Sequence, residues 1–422
     1  HGWVDRLGRR TFLLLATAVV TLTLGLLVLP AMGLGTFGLS EANRAWPPLP
    51  LHLAAAVTVI AWGFVASGRP SRARVGGVHQ AQRRGVVRML GVGLLGIPAG
   101  LGLAWRLSLA QAQGMMAALF DAIAGLSPRV TPASEHYVVS KGLFPPRVNG
   151  DSWRLEIDGE VQTPLRLDLA ALQALPSVTR PTTLVCISNP VGGDLIGTSR
   201  WTGVRLGDVL DLAGVDEGAF EVVLFGADNY TESFPLDAAY REGTILAYAM
   251  EDAPIPAKHG FPVRVLVPGI YGMKNVKWVE RIEIRSEAYL GYWQTRGWSE
   301  EAIVKTMSRI DTDVATDLGD GRWAVAGIAF AGLRGVEAVQ VSVDSGATWL
   351  DAVLEAAPNE WSWRRWAAIL DAEAAAPSVG RLFEVRVRAL DGEGVLQTET
   401  VAPPLPDGAS GIHRLITRVP PS

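Results

Sequence analysis

Three long apolar runs open the chain: TFLLLATAVVTLTLGLLVLPAMG (11–33), LPLHLAAAVTVIAWGFVASG (49–68) and VVRMLGVGLLGIPAGLGLAW (86–105). Each offers roughly the twenty residues that an α-helix needs to cross a bilayer, although His52 interrupts the second and Arg88 sits near the start of the third. Beyond them the pattern changes. Residues 109–134 read as a polar connector, helical as far as Gly125. RLEIDGEV (154–161), EVVLFG (221–226), VRVLVPG (263–269) and VKWVERIEIR (276–285) are short runs that predict strands. RLGDVLDLAG (205–214) gathers Leu206, Val209, Leu210 and Leu212 on one side and predicts a helix. No regular strand–helix–strand alternation appears, so a mixed α+β domain is expected over 135–300. After about residue 305 the runs WAVAGIAFAG, AVQVSVDSGATWLDAVL, WSWRRWAAIL and LFEVRVRALDGEGVLQTET alternate, with turn signals at Asp344-Ser345-Gly346 and Asp391-Gly392. Even spacing without a helix predicts an Ig-like β-sandwich over 301–422, although the Cys…Trp…Cys signature is absent.

Charge sorts these parts. Residues 1–110 hold eleven Arg, no Lys and two acids, a balance of +9, which leaves −13 for the rest of a chain whose net charge is −4. A basic apolar segment of 1–108 joined to a long acidic one predicts a membrane anchor bearing a water-soluble domain, and mean hydropathy is +0.22. Arg6, Arg9 and Arg10 precede the first run, and Arg69, Arg72, Arg74, Arg83 and Arg84 lie between the second and third. The positive-inside rule then places the N-terminus and that loop in the cytoplasm, and everything after about residue 108 on the extracytoplasmic side of a multi-pass cell-membrane protein. QRRGVVR (82–88) reads either as an internal twin-arginine export signal or as topology-setting charge; RRTFL (9–13) is a weaker version. The acidic outer part argues against nucleic acid as a partner. The chain begins at His1 and not at Met, so further sequence is expected upstream.

The chain has one cysteine, Cys186, in TTLVCISNPVGGDLIGTSRWTGVRL (182–206). A lone cysteine forms no intrachain disulfide. It is a small hydrophobe, a nucleophile or a metal ligand. One cysteine cannot hold an iron–sulfur cluster, and no CxxCH haem site is present.

The Cys186 segment, with its xCxxN context and the following GTSRWTGVRL, together with KHGFPVRVLVPGIYGMKNVKWVERIEI (258–284), resembles the sulfite oxidase family of molybdenum enzymes. The resemblance covers roughly residues 135–405 and favours the twin-arginine reading, because molybdopterin enzymes are loaded before export. It implies a molybdenum-molybdopterin cofactor with Cys186 as metal ligand, a role that suits a soft thiolate. It also implies that Arg264 and Lys277 hold the pterin's terminal anion, and that His259, Asn275, Val276 and Tyr137 touch the cofactor. Arg200, in SRW, is similar to a catalytic arginine near the site. The implied activity is oxygen-atom transfer on a small sulfur or nitrogen oxo substrate, with a separate electron partner: a cytochrome, a membrane haem protein or a quinone. A homodimer is a further expectation. The chain also departs from the family. Where sulfite oxidases place arginines for their anionic substrate it has Val138 or Val139 and Pro190-Val191, and no equivalent of the family's tyrosine near the metal is evident around YWQTRGW (292–298). Lys141 compensates at most in part, so the departures argue against sulfite. Two rivals stand beside this reading: a methionine-sulfoxide-type reductase, and a non-catalytic anchored binding module.

Overall fold

The computed structural model describes residues 114, 116–319, 321–370 and 382–418. The three apolar runs and the arginine pairs of the anchor lie outside the described residues. Among the described residues, no helix is long and apolar enough to cross a membrane.

The first half is built from two sheets around one core. One sheet has the order β2 (Leu165–Asp168), β1 (Arg154–Gly159), β10 (Val279–Arg285), β5 (Glu221–Gly226), β6 (Thr231–Pro235). Only its β1–β10 pairing is parallel. The other is antiparallel: β3 (Ser177–Val185), β4 (Ile196–Arg205), β7 (Ile245–Met250) and β8 (Ala253–Pro254), with β9 (Arg264–Leu266) also on β7. The predicted helix appears as α2 (Leu206–Ala213), after the short α1 (Leu169–Gln173). Its Leu206, Val209 and Leu210 are buried as expected, but Leu212, read as part of the same side, is exposed, and Ala213 takes the buried position instead, because 100° per residue turns Leu212 away from that face. Gly214 ends it in a left-handed conformation. Leu155, Ile157, Val222, Leu224, Ile282 and Ile284 project from the first sheet into the shared core. The α+β expectation for this half holds.

The second half is two antiparallel sheets. β11 (Met307–Ile310), β13 (Arg322–Phe330), β17 (Arg364–Leu370) and β16 (Val353–Leu354) form one, with β12 (Thr316–Gly319) also on β13. β15 (Leu350–Asp351), β14 (Val336–Ser342), β18 (Leu382–Asp391) and β19 (His413–Arg418) form the other. Val325, Ala329 and Trp366 of the first sheet pack on Val339, Val341, Val385 and Val387 of the second. β13 departs from the expected alternation, being buried on both faces from Ala324 to Phe330. Its other face has the small side chains Ala324 and Ala326, with Ala367 of β17, and Phe120 and Ile123 pack into the space they leave. Residues 116–122 are helical, so the segment read as a connector is docked on this sheet. Arg129 reinforces it by pairing with Glu355, and Ser127 N donates to Asp311 Oδ2 at 3.0 Å.

The two halves meet around the loop that follows Cys186. Thr183 N donates to Trp361 O at 2.9 Å and Trp363 N donates to Thr183 Oγ1 at 2.8 Å, so the second half extends β3. Arg309 Nη1 donates to Gly193 O at 3.0 Å, and the His413 ring lies against Gly192, which sits at φ +75°. A Cβ at residue 192 would come within 2.3 Å of that ring. Gly192→Ala should therefore lower stability by about 1–3 kcal/mol in denaturant unfolding. Gly218→Ala, at a φ of +96° with nothing within 4 Å, isolates the backbone contribution and should cost less.

Candidate functional site

The strand ends converge on a cavity of about 260 Å³. Cys186 reaches it from the end of β3, Arg264 from the start of β9, and Val276 and Lys277 from the segment before β10. Tyr137 and Lys141 reach it from the segment before β1, and Asp228 and Tyr230 from the β5–β6 turn. Trp293 and Trp298 complete the wall. Thr131 anchors the N-terminal edge: Ser199 Oγ donates to Thr131 O at 2.8 Å and Thr198 N to Thr131 Oγ1 at 3.2 Å.

Cys186 is 8% exposed, and its Sγ lies 3.0 Å from Ser188 Oγ. Its backbone N donates to Leu195 O, and Asn189 Oδ1 accepts from Leu195 N, which closes the turn. Arg264 is buried, and among the described residues no carboxylate pairs with it. Its Nη1 and Nη2 donate to His259 O (3.0 Å) and Asn275 O (3.1 Å), and the guanidinium lies 5.1 Å from the Trp201 ring centroid. Its Nε has no partner. Burial pulls its pKa down to about 10. Lys277 is half-buried, donates to Val139 O at 3.0 Å and to Ser140 Oγ, and is lowered to about 7, mainly by burial with Arg264 adding repulsion.

The histidines behave differently. Burial lowers His259 to about 4 and His136 to about 3, so both are neutral at pH 7. Their rings meet edge-on at 5.6 Å, and His259 Nε2 lies 2.9 Å from Ala133 O. Asn275 turns its side chain inward, accepting from Val267 N at 2.6 Å, so its carbonyl and not its amide supports Arg264. Tyr137 stacks on His136.

Cys186, Tyr137, His259, Arg264, Asn275, Val276 and Lys277 thus come together. Arg200 does not. It is exposed on β4, pairs with Asp252, and its backbone N donates to Glu251. Adjacent residues of a strand face opposite ways, and in SRW the fully buried Trp201 is the one that supports Arg264. Tyr230, His136 and Ser188 line the cavity without having been singled out in the sequence. Segment 292–298 contributes Trp293 and Trp298 to the cavity, while Tyr230 enters the cavity from the β5–β6 turn. Val138 and Val139 lie at the cavity rim, each 43% exposed, and Pro190 and Val191 line a separate small cleft beside Tyr271.

Residues 142–293 match the oxidoreductase molybdopterin binding domain. The chain is 31% identical over 325 residues to mitochondrial sulfite oxidase of Rattus norvegicus, covering 64% of this chain and 59% of that one. It is 30% identical over 327 residues to sulfite oxidase of Gallus gallus, covering 66% and 70% respectively. The chain belongs to the sulfite oxidase family. The match spans less than two thirds of the rat relative. Among solved structures, the sulfane dehydrogenase SoxCD of Paracoccus pantotrophus shares the fold, with a TM-score of 0.60 at 22% identity over 68% of this chain and 81% of that one.

The cofactor of this family is molybdenum-molybdopterin, and the cavity residues fit it. A buried guanidinium with an unpartnered Nε and no carboxylate calls for an anion. A soft sulfur donor on the same wall suits molybdenum.

Lys277 gives a pH signature in the cofactor-free protein. Between pH 7 and 10.5 the unfolded chain keeps this proton and the folded chain has released it, so folded-state stability rises with pH across that window. Lys277→Met should be more stable than wild type at pH 7 and should flatten the rise, as read from denaturation midpoints across the window.

Proposed function

We propose that this chain is a molybdopterin oxidoreductase that transfers an oxygen atom to or from a small sulfur compound at Cys186. The observation that carries the reading is a lone buried cysteine sharing one cavity with a buried arginine that has no counter-charge. When bound, the cofactor supplies the two-electron redox change and the oxygen transfer. The chain's own residues do the rest. Arg264 and Lys277 hold the pterin's anionic end by charge-assisted hydrogen bonds. The neutral His259 and His136 pack beside Arg264 without adding charge. Cys186 anchors the metal from a turn that the second half clamps. The tryptophans Trp293 and Trp298 restrict water.

A thioether or its sulfoxide, as in methionine sulfoxide, is favoured over free sulfite by the rim. Val138 and Val139 stand there, both partly exposed. That apolar edge suits a substrate bearing a hydrocarbon arm. An anchored module without catalysis is disfavoured by the uncompensated cationic interior.

Multi-pass anchoring with the catalytic domain extracytoplasmic rests on the apolar runs 11–33, 49–68 and 86–105 and their arginine flanks. Recruitment of a folded-protein export route by Arg83 and Arg84 rests on the sequence pattern alone. A separate electron partner, a haem protein or a quinone, follows from the single cysteine and the missing haem motif. An Ig-like assignment for the second half is supported by its two antiparallel sheets around one core. Homodimer formation has family resemblance as its support.

Cys186→Ser should keep the fold, because the side chain changes by one atom in a small polar turn. It should lose oxygen-transfer turnover by about a hundredfold or more, since a harder alkoxide is a poorer donor to molybdenum. Turnover of thioether and sulfite substrates with an artificial electron carrier, beside metal content by mass spectrometry, checks this. Near-wild-type turnover in the variant excludes the ligand role.

A further inference from the structure

Behind Tyr230 lies a buried acid that the reading above does not use. Glu232, on β6, is fully buried. Its Oε2 takes three donors: Gln294 Nε2 at 2.6 Å, Ser233 N at 3.0 Å and Lys274 Nζ at 3.2 Å. Its Oε1 takes one, the Tyr230 hydroxyl at 3.2 Å. The same hydroxyl also donates to Met273 O at 2.8 Å. A phenol has a single hydrogen, and these two acceptors compete for it. With Glu232 ionised, that hydrogen is engaged by the carboxylate and by Met273 O, which leaves the hydroxyl oxygen of this cavity-lining residue free to accept.

Formation of an oxidised product from water, X + H2O → XO + 2 H⁺ + 2 e⁻, leaves two protons to remove, with the electrons passing to the separate partner. The cation Arg264 cannot accept them, burial makes His136 and His259 poor bases, and Lys277, lowered to about 7, takes one when neutral, which leaves one proton for a further acceptor. We propose that Glu232 is a positioning residue that aims the Tyr230 hydroxyl and, through it, stores one proton per turnover. The hydroxyl oxygen accepts a proton from the cavity while its own hydrogen passes to Glu232 Oε1. The phenol is regenerated, the acid is neutral, and the reverse transfer returns the proton once the product has left. Burial raises the Glu232 pKa and Lys274 opposes that rise, which suits a group that takes and gives back a proton. The charged and titratable groups facing the pair are Lys274 on the Glu232 side, and Asp228, Cys186 and Tyr292 on the Tyr230 side.

For its turnover arm this inference rests on the oxygen-transfer reading. The test is therefore made in two measurements on the loaded full chain. The first places 3,5-difluorotyrosine at position 230 and follows its ionisation by ¹⁹F NMR. The second separates kcat from KM with a thioether substrate, with molybdenum content recorded. Glu232→Gln removes the charge, and Glu232→Gln with Lys274→Met avoids leaving a buried ammonium alone. In both variants the phenol should ionise at lower pH, and kcat should fall about a hundredfold with KM little changed. An unmoved phenol titration overturns the proposal, as does a loss of turnover that only follows loss of molybdenum. A wild-type chain inactive on every sulfur substrate overturns the oxygen-transfer reading instead, while the titration still decides the coupling.

Discussion

A guanidinium buried without a carboxylate is the constraint around which this site is arranged. Removing an isolated charge from water costs several kcal/mol even after relaxation. Arg264 meets that cost with two backbone carbonyls and the face of Trp201, and it leaves its Nε unpaired. Those carbonyls belong to His259 and Asn275. The segments on either side of β9 are therefore tied to one side chain. Asn275 adds a second tie by accepting from Val267 N, so the strand and the segment before β10 hold each other. Such an arrangement is stable enough to fold and is completed only by an anion.

The second half of the molecule matters to this site through the Cys186 loop. β3 ends at Val185, and a cysteine one residue past a strand end is free to swing unless its turn is fixed. Three separate contacts fix it: Trp361 and Trp363 on Thr183, Arg309 on Gly193, and His413 on Gly192. All four side chains or backbones come from beyond residue 300. This explains why the two sheets cannot be regarded as an appendage to the cofactor-binding half.

β1, β10 and α2 were legible in the sequence because one face is wet and one dry and the period shows, whereas β4, β6 and β7, buried on both faces over most of their length, were not. β13 was misread because both of its faces are dry, and the alanines that admit Phe120 and Ile123 look like filler without the helix that covers them. Most of the site was legible through resemblance, since HGFPVR and VKW bring their residues in order. Arg200 was lost to a one-residue register, a choice that a bare SRW leaves open but that Trp201, an indole too large for the wet face of a strand, hints at. Tyr230 and His136 left fainter signals. Tyr230 follows Asn229, whose φ of 58° marks a tight turn, and a residue on a turn between two buried strands is placed at their shared end. His136 carries no pattern that separates it from any polar loop residue.

The loss of the family's arginines at Val138 or Val139 and at Pro190-Val191 is not made good by the remaining cations. Lys141 reaches the cavity, but its Nζ is held by Asp228 O at 2.7 Å and stands 5.0 Å from the Tyr292 ring centroid. A cation already engaged by a carbonyl and an aromatic face gives a weaker, less directional grip on an oxyanion than a forked guanidinium. Pro190 and Val191 line the other cleft and put no cation into this cavity. Arg264 is the buried cation of this site and Lys277 lies beside it, which is where the proposed function puts the pterin's anion, while Val138 and Val139 give the rim an apolar stretch. On the proposed assignment, with the cations at the cofactor end and hydrocarbon at the mouth, the site would discriminate against a small free dianion and in favour of a substrate whose sulfur is presented on a carbon arm.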